Sequence, residues 1–293
     1  MNLLGLRYNN SFKDLPQRVL VNLHERGIEG TVDAFFRMIG AEIWHRFGTG
    51  IDVTNLAWDN LLILDALRAD ICAENAPDDW TVETVQSPAT NSYSYMLQCY
   101  AGRALHDTVM VSANPFVNDL PPSTFHAVHY VHHDKGSVPR PEEVTEVALD
   151  AIATYPSKRL IIHYMQPHAP YLHRDDPYPR YPFDSARRAG DLEALHADYV
   201  ANFRLVRSSV IDLLPHLMGL TVVTADHGEA LGESYRGLRR FEHGHAIPEV
   251  YRVPWVEFTN GKRRATTAEA PLPQTAVDED QRRQQLTALG YRS

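Results

Sequence analysis

From Trp58 onward the chain alternates short apolar runs with longer helix-like stretches, and this alternation limits the fold more than any other feature. Asn60-Leu61-Leu62-Ile63-Leu64 is a continuous apolar run of strand length that stops on Asp65, and a helical stretch follows at 66–74. Further strands are expected at 81–86, 108–112, 125–131, 159–164, 220–225 and 253–258. Helices are expected after Ser92, at 142–154 behind Pro141, and at 191–217. Apolar strands separated by helices imply an α/β fold, with a mostly parallel central sheet covered by helices on both faces. The 125–131 strand belongs near a sheet edge, and the Pro- and Tyr-rich stretch 167–185 reads as a loop.

Residues 1–57 have a different texture and are expected to form an N-terminal helical arm ahead of the α/β domain, 58–293. The stretch 15–26 has helical spacing, Gly27 and Gly30 punctuate it, and 31–46 is amphipathic. Val32, Phe35, Phe36, Ile39, Ile43 and Trp44 share one broad face, the face expected to pack on the main domain. Few cations on the opposite face disfavour a membrane-surface helix.

The formal net charge of −9 over 293 residues argues against a general nucleic-acid partner. No apolar run reaches the length of a membrane span, and no cleavable leader pattern is visible. Two cysteines, Cys72 and Cys99, exclude a disulfide framework and suggest a reducing, cytoplasmic setting. A dinucleotide-binding fold is set aside because no Gly-x-Gly-x-x-Gly follows the first strand.

In an open parallel sheet, ligands sit beyond the carboxyl ends of the strands. Here one strand ends on Asp65, one runs into Thr90-Asn91-Ser92, one ends near His168, and one ends on Asp226-His227. Asp65, Asp226 and His227 make a mixed oxygen and nitrogen set suited to a divalent cation, though an Asp here could instead cap a helix. A hydroxyl beside such an ion becomes a nucleophile near neutral pH, and Ser92 or Thr90 could supply it, or merely cap the following helix. His168, and His243 with His245 around Gly244, lie in loops and fit a second metal or the free oxygens of an oxyanion. His129, His132 and His133 beside Lys135 read as surface.

Asp65-Ala66-Leu67-Arg68-Ala69-Asp70, His163 through Tyr171, and Thr224-Ala225-Asp226-His227-Gly228-Glu229-Ala230-Leu231-Gly232-Glu233 together resemble the sulfatase-like branch of the alkaline phosphatase superfamily. Glu242-His243-Gly244-His245, Arg252-Val253-Pro254-Trp255 and the closing Leu286 to Tyr291 fit the same resemblance, in family order, from about Trp58 on. It implies an alkaline phosphatase-like fold in which Asp65, Asp226, His227 and the nucleophile hold one divalent ion (Zn, Mn, Mg or Ca). Ser92 matches the nucleophile position, with Thr90 the runner-up. His168 and His245 match positions that contact the oxyanion or a second metal. Two-metal relatives carry an Asp near the His168 segment, where this chain has Gln166, so a complete second site is not implied.

The implied substrate is a small-molecule or glycan-linked phosphate or sulfate ester. Arg174, Arg180, Arg187 and Arg188 of the 167–185 region are candidates for recognising it. Cys99-Tyr100-Ala101-Gly102-Arg103 matches the short pattern of a formylglycine site, but Cys99 falls late in a helix, where a buried structural cysteine is the ordinary case. The alternative to an enzyme is a non-catalytic relative that binds a glycan or protein partner through the same rim.

Overall fold

The computed structural model describes residues 15–132, 138–172, 182–274 and 278–289. His133, Lys135, Arg174, Arg180, Gly290 and Tyr291 lie outside the described residues. In chain order the elements are α1 (Leu15–Phe47), β1 (Asn60–Leu64), α2 (Ala69–Asn75), β2 (Glu83–Gln86), α3 (Ser92–Tyr100), β3 (Leu105–Ser112) and β4 (Phe125–Tyr130). These are followed by α4 (Pro141–Thr154), β5 (Arg159–Tyr164), α5 (Pro182–Ala189), α6 (Leu192–Leu213), β6 (Gly219–Thr224), β7 (Ala230–Tyr235) and β8 (Leu238–Glu242). The chain continues through α7 (Pro248–Tyr251), β9 (Arg252–Asn260) and α8 (Glu279–Ala288).

Among the described residues the central sheet has seven strands in the order β2-β9-β6-β1-β5-β3-β4. Strands β6, β1, β5, β3 and β4 pair in parallel, and β9 runs antiparallel to both β6 and β2. The fold is thus α/β with a mostly parallel sheet, and β4 takes the expected edge. Side chains alternate across a strand, so each central strand feeds two cores. Leu62, Leu64, Val109, Val111, Leu160, Ile162 and Val223 enter one core with Phe203 and Val206 of α6 and Val144 and Ala148 of α4. Leu61, Ile63, Met110, Ile161 and Val222 enter the other, with Tyr95, Met96 and Cys99 of α3. Sealing both faces is why β1 is apolar and buried along its whole length.

Register brings the rim together. Ile63 pairs with both His163 and Thr224, so two residues further on Asp65 and Asp226 emerge level with one another. Ser112 pairs with His163, which brings Asn114, two residues later, to the same end of the sheet.

Four features depart from the sequence expectations. The stretches 15–26 and 31–46 run as one helix across a break at Gly27, whose φ of 70° is outside the helical region. Half of the expected apolar packing face of that helix is turned outward: Phe35, Phe36 and Ile43 are exposed, Val32, Ile39 and Trp44 are half-buried, and Asp33 and Gly40 are buried. The reason lies in what faces the helix, a charged surface on β8 and the turn after it, which matches polar side chains and a close glycine better than an apolar stripe. The third departure is the β7–β8 hairpin, for which no strands were expected. Its two-residue turn, Arg236-Gly237, has φ of 52° and 78°, the doubly left-handed shape that fits the twist of a tight hairpin. The expected loop at 167–185 also gives way to α5 from Pro182.

Candidate active site

The chain leaves β1 through Asp65 and then Ala66, a non-glycine residue held at φ 64°. Two contacts hold that costly conformation. Tyr199 Oη on α6 donates to the Ala66 carbonyl at 2.6 Å and accepts from Arg68 N–H at 3.0 Å. The Ala66 N–H, turned toward β6, donates to Asp226 Oδ1 at 3.1 Å. Asp226 Oδ1 also accepts from the His227 N–H at 3.0 Å. His227 Nδ1 lies 2.8 Å from the Gly228 carbonyl, which only accepts, so Nδ1 carries the proton and Nε2 presents its lone pair. That Nε2 faces Asp65 Oδ1 at 3.6 Å and Asp226 Oδ2 at 3.5 Å.

Ser92, at the head of α3, completes this group. Its Oγ is 3.1 Å from Asp65 Oδ2 and 3.1 Å from His227 Nε2. The capping role that a hydroxyl could fill here belongs to Asn91, whose side chain accepts from Ser94 N–H at 2.9 Å. Thr90 is buried with no hydrogen bond to its hydroxyl, and its carbonyl accepts from Gly244 N–H at 2.7 Å. Asp65, Asp226 and His227 are thus brought together with Ser92, and Thr90 sits behind them.

Asp65, Ser92, His163, Asp226 and His227 are all buried. Among the described residues no Lys or Arg pairs with Asp65 or Asp226, and Asp65 Oδ1 and Asp226 Oδ2 have no hydrogen-bond partner. Burial alone would push the Asp65 carboxyl up, but His163, His168 and His227 hold it below its ordinary value. Two buried carboxylates with unused oxygens, beside imidazole nitrogens, fit a divalent cation. One ligand atom each from Asp65, His163 and Asp226 lies within 4.8 Å of the others.

A second group, His168, Glu229 and His243, meets the same spacing. His168 Nδ1 donates to the Ala169 carbonyl at 2.5 Å, which turns Nε2 away from it. The His243 ring centre lies 5.2 Å from that of His168 and 4.7 Å from that of His227, and His243 Nδ1 is 3.4 Å from Glu229 Oε1. Neither Glu229 oxygen has a hydrogen-bond partner, and burial pushes its carboxyl up to about 7 against the opposing pull of His168 and His227. Burial, with His168 and Arg37 nearby, pushes His243 down to about 3. His168 is raised: burial pulls it down, and Asp65 and Glu229 more than reverse that.

The structure does not bring His245 to either group. Its Nε2 lies 3.2 Å from the Phe241 carbonyl and 3.2 Å from Asp33 Oδ1 on α1. Gln166 is also turned away, donating to the Pro139 carbonyl at 3.0 Å, and the carboxylate of the second group comes from Glu229 instead. Cys99 is buried in the core under α3 with its thiol pushed up by burial, and Cys72 is buried on α2 and pushed up to about 12. Arg187 is committed to Asp33 at 2.8 Å.

Sequence reasoning did not assign three rim residues. His163 faces Asp65 Oδ2 at 3.6 Å from inside β5, Asn114 Nδ2 donates to Asp65 Oδ2 at 2.7 Å, and Glu229 belongs to the second group. Asn114 was readable as the polar residue just past β3. A histidine inside an otherwise apolar strand, and a glutamate two residues beyond the Asp-His pair, were the corresponding signals for the others.

No protein-family model and no curated protein matches the chain. Solved structures are similar to it at low identity. They include the C-terminal periplasmic domain of EptC from Escherichia coli in complex with Zn (TM-score 0.48, 14% identity, 71% of this chain and 75% of that one). The C-terminal periplasmic domain of the phosphoethanolamine transferase EptC from Campylobacter jejuni gives a TM-score of 0.48 at 15% identity, over 79% of this chain and 87% of that one. The phosphonate monoester hydrolase of Agrobacterium radiobacter gives 0.45 at 12% identity, over 71% of each chain. The expectation of a cytoplasmic chain stands against the EptC neighbours, which are periplasmic domains, and is not carried further. The cysteine count behind that expectation was a weak guide. Both thiols are buried with the thiolate disfavoured, so their number does not separate a reducing from an oxidising compartment.

Proposed function

We propose that the chain is a metal-dependent phosphoester hydrolase or phospho-group transferase acting outside the cytoplasm, with Ser92 as nucleophile and sulfate esters as the second substrate class. The observation that carries this reading is the placement of Ser92 Oγ, buried and 3.1 Å from both Asp65 Oδ2 and His227 Nε2, at a helix start whose cap is supplied by another residue. A divalent cation held by Asp65, Asp226 and His227, with His163 beside them, would supply positive charge that lowers the pKa of the nearby hydroxyl and offsets charge on the ester.

Asp65 Oδ2 accepts the Ser92 hydroxyl hydrogen bond and keeps an Oγ lone pair directed into the rim. Oγ attacks phosphorus in line as its proton is released to water, the Oγ–P bond forms as the bond to the leaving oxygen breaks, the leaving oxygen takes up a proton, and a phosphoserine results. Glu229, whose carboxyl holds its proton up to about 7, sits beside His243 where it can donate to an oxygen of the ester. His168, raised by Asp65 and Glu229, offsets charge on the non-bridging oxygens, and the neutral His243 ring can donate a hydrogen bond to one of them. Water or an alcohol acceptor then attacks phosphorus, releasing Ser92 and giving hydrolysis or transfer respectively.

The test is metal content of the purified protein, with turnover of aryl phosphate, phosphodiester and aryl sulfate esters by the wild type and by Ser92→Ala and Thr90→Ala. Ser92→Ala is expected to lose on the order of a thousandfold or more in turnover, with Thr90→Ala far less affected. Protein that retains no divalent metal and turns over none of these esters would instead be a non-catalytic binder of a glycan or partner.

A further inference from the structure

The polar face of α1 is built into the candidate site. Arg37 Nη1 pairs with Glu242 Oε2, and both side chains are largely buried. Asp33, 2% exposed, lies 3.2 Å from His245 Nε2 and accepts from Arg187 Nη2 at 2.8 Å. Gly40 approaches so closely that a Cβ there would sit 2.7 Å from Ala246 N and 2.9 Å from the Gly244 carbonyl oxygen. One turn further on, Trp44 stacks on Tyr251 with ring centres 4.0 Å apart and donates to the Ser87 carbonyl at 3.0 Å. Ser87 Oγ in turn donates to the Asp226 carbonyl, and Ser87 begins the loop that leads to Ser92.

The turn that α1 grips is not relaxed by itself. Glu242 is a non-glycine residue at φ 63°, and Gly244 is at φ 95°. A non-glycine residue there persists only where its surroundings over-determine it, whereas Gly244 reaches the region freely. The surroundings here are α1 on one side and the Thr90 carbonyl, bonded to Gly244 N–H at 2.7 Å, on the other. Between the two left-handed residues stands His243, aimed at Glu229 and at the rings of His168 and His227.

We propose that α1 is a positioning element, with Arg37 and Gly40 as positioning residues that fix the 242–245 turn and thereby the direction of His243. In its turnover arm this rests on the function proposed above; in its spectroscopic arm it does not. Losing the Arg37–Glu242 pair removes one of the restraints on the left-handed Glu242. Adding a methyl at Gly40 pushes directly on the turn backbone while favouring the helix itself.

The experiment uses the full chain with isotope-labelled histidine, the His243 imidazole signal being assigned through His243→Gln. Arg37→Met, Arg37→Lys and Gly40→Ala are compared with wild type, with thermal melts to verify folding. The expected result is a shifted or doubled His243 signal in Arg37→Met and Gly40→Ala, restored toward wild type in Arg37→Lys, while the signal of His126, near the start of the edge strand β4, stays in place. Turnover of an aryl phosphate should fall by roughly tenfold to a hundredfold in kcat, as for a misplaced group, with KM nearly unchanged. A His243 signal at its wild-type position in both Arg37→Met and Gly40→Ala overturns the proposal. Should Arg37→Met fail to fold, Gly40→Ala, which removes no charge, decides alone. If the wild type turns over no ester, the proposed function fails while the His243 signal still decides the role of α1.

Discussion

Glu229→Gln in metal-free protein separates a buried, uncompensated carboxyl from a paired one. The Glu229 carboxyl is raised by burial from an ordinary 4.5 to about 7. The rise from 4.5 to about 7 corresponds to about 3 kcal/mol of folding free energy. For an acid whose folded value is raised, the unfolded chain gives up its proton above about 4.5 while the folded chain keeps it until about 7. The folded state therefore binds more protons in that window, and stability falls as pH rises through it. His243 works the other way. Burial and its neighbours push it down to about 3, so the unfolded chain binds more protons between about 3 and 6.5, and stability rises with pH over that range. The two slopes oppose one another between about 4.5 and 6.5, so the difference between Glu229→Gln and wild type is the quantity to follow. Urea melts in chelator from pH 4.5 to 7.5 should show the variant gaining on wild type, by about 3 kcal/mol at the upper end. Coincident backbone and tryptophan transitions should accompany them, as two-state bookkeeping requires. Saturating divalent cation should stabilise wild type more than the variant, because an ion at His168, Glu229 and His243 favours the ionised carboxylate. Stability curves that run parallel over the whole range would refute the reasoning.

Asp226→Asn keeps the acceptor for the Ala66 and His227 N–H groups but removes one charge. Bound divalent metal, measured by equilibrium dialysis, should weaken by roughly a hundredfold or more, with ester turnover falling in parallel. Tyr199→Phe deletes the hydroxyl that serves both the Ala66 carbonyl and the Arg68 N–H, at an expected cost of about 1–3 kcal/mol in a denaturant melt. Cys99→Ala should cost about 1–2 kcal/mol of stability through lost packing under α3 and leave ester turnover unchanged; a loss of turnover would restore Cys99 as a nucleophile candidate.

How far the site could be read in the sequence depended on where its residues sit relative to the strands. The β1 and β6 runs are apolar because both faces of the sheet are sealed, and their abrupt ends at Asp65 and Asp226-His227 mark the rim directly. His163 was harder to see because it interrupts a strand instead of ending one, and pairing with Ile63 is what carries it to Asp65. The choice between His243 and His245 was not legible at all. They stand two residues apart around Gly244, and backbone angles decide which one faces the carboxylates. Those angles, φ 63° at Glu242 and 95° at Gly244, are stabilised by contacts from a helix some 200 residues earlier, which local patterning does not encode. The same contacts explain why amphipathicity placed only part of the packing face of α1, Trp44 against Tyr251. Its apolar stripe is the stronger pattern, but Asp33, Arg37 and Gly40 meet a charged turn that an apolar face could not satisfy. A helix that turns its polar side inward against the unusual backbone of a histidine turn does more to orient that turn than to enlarge the hydrophobic core.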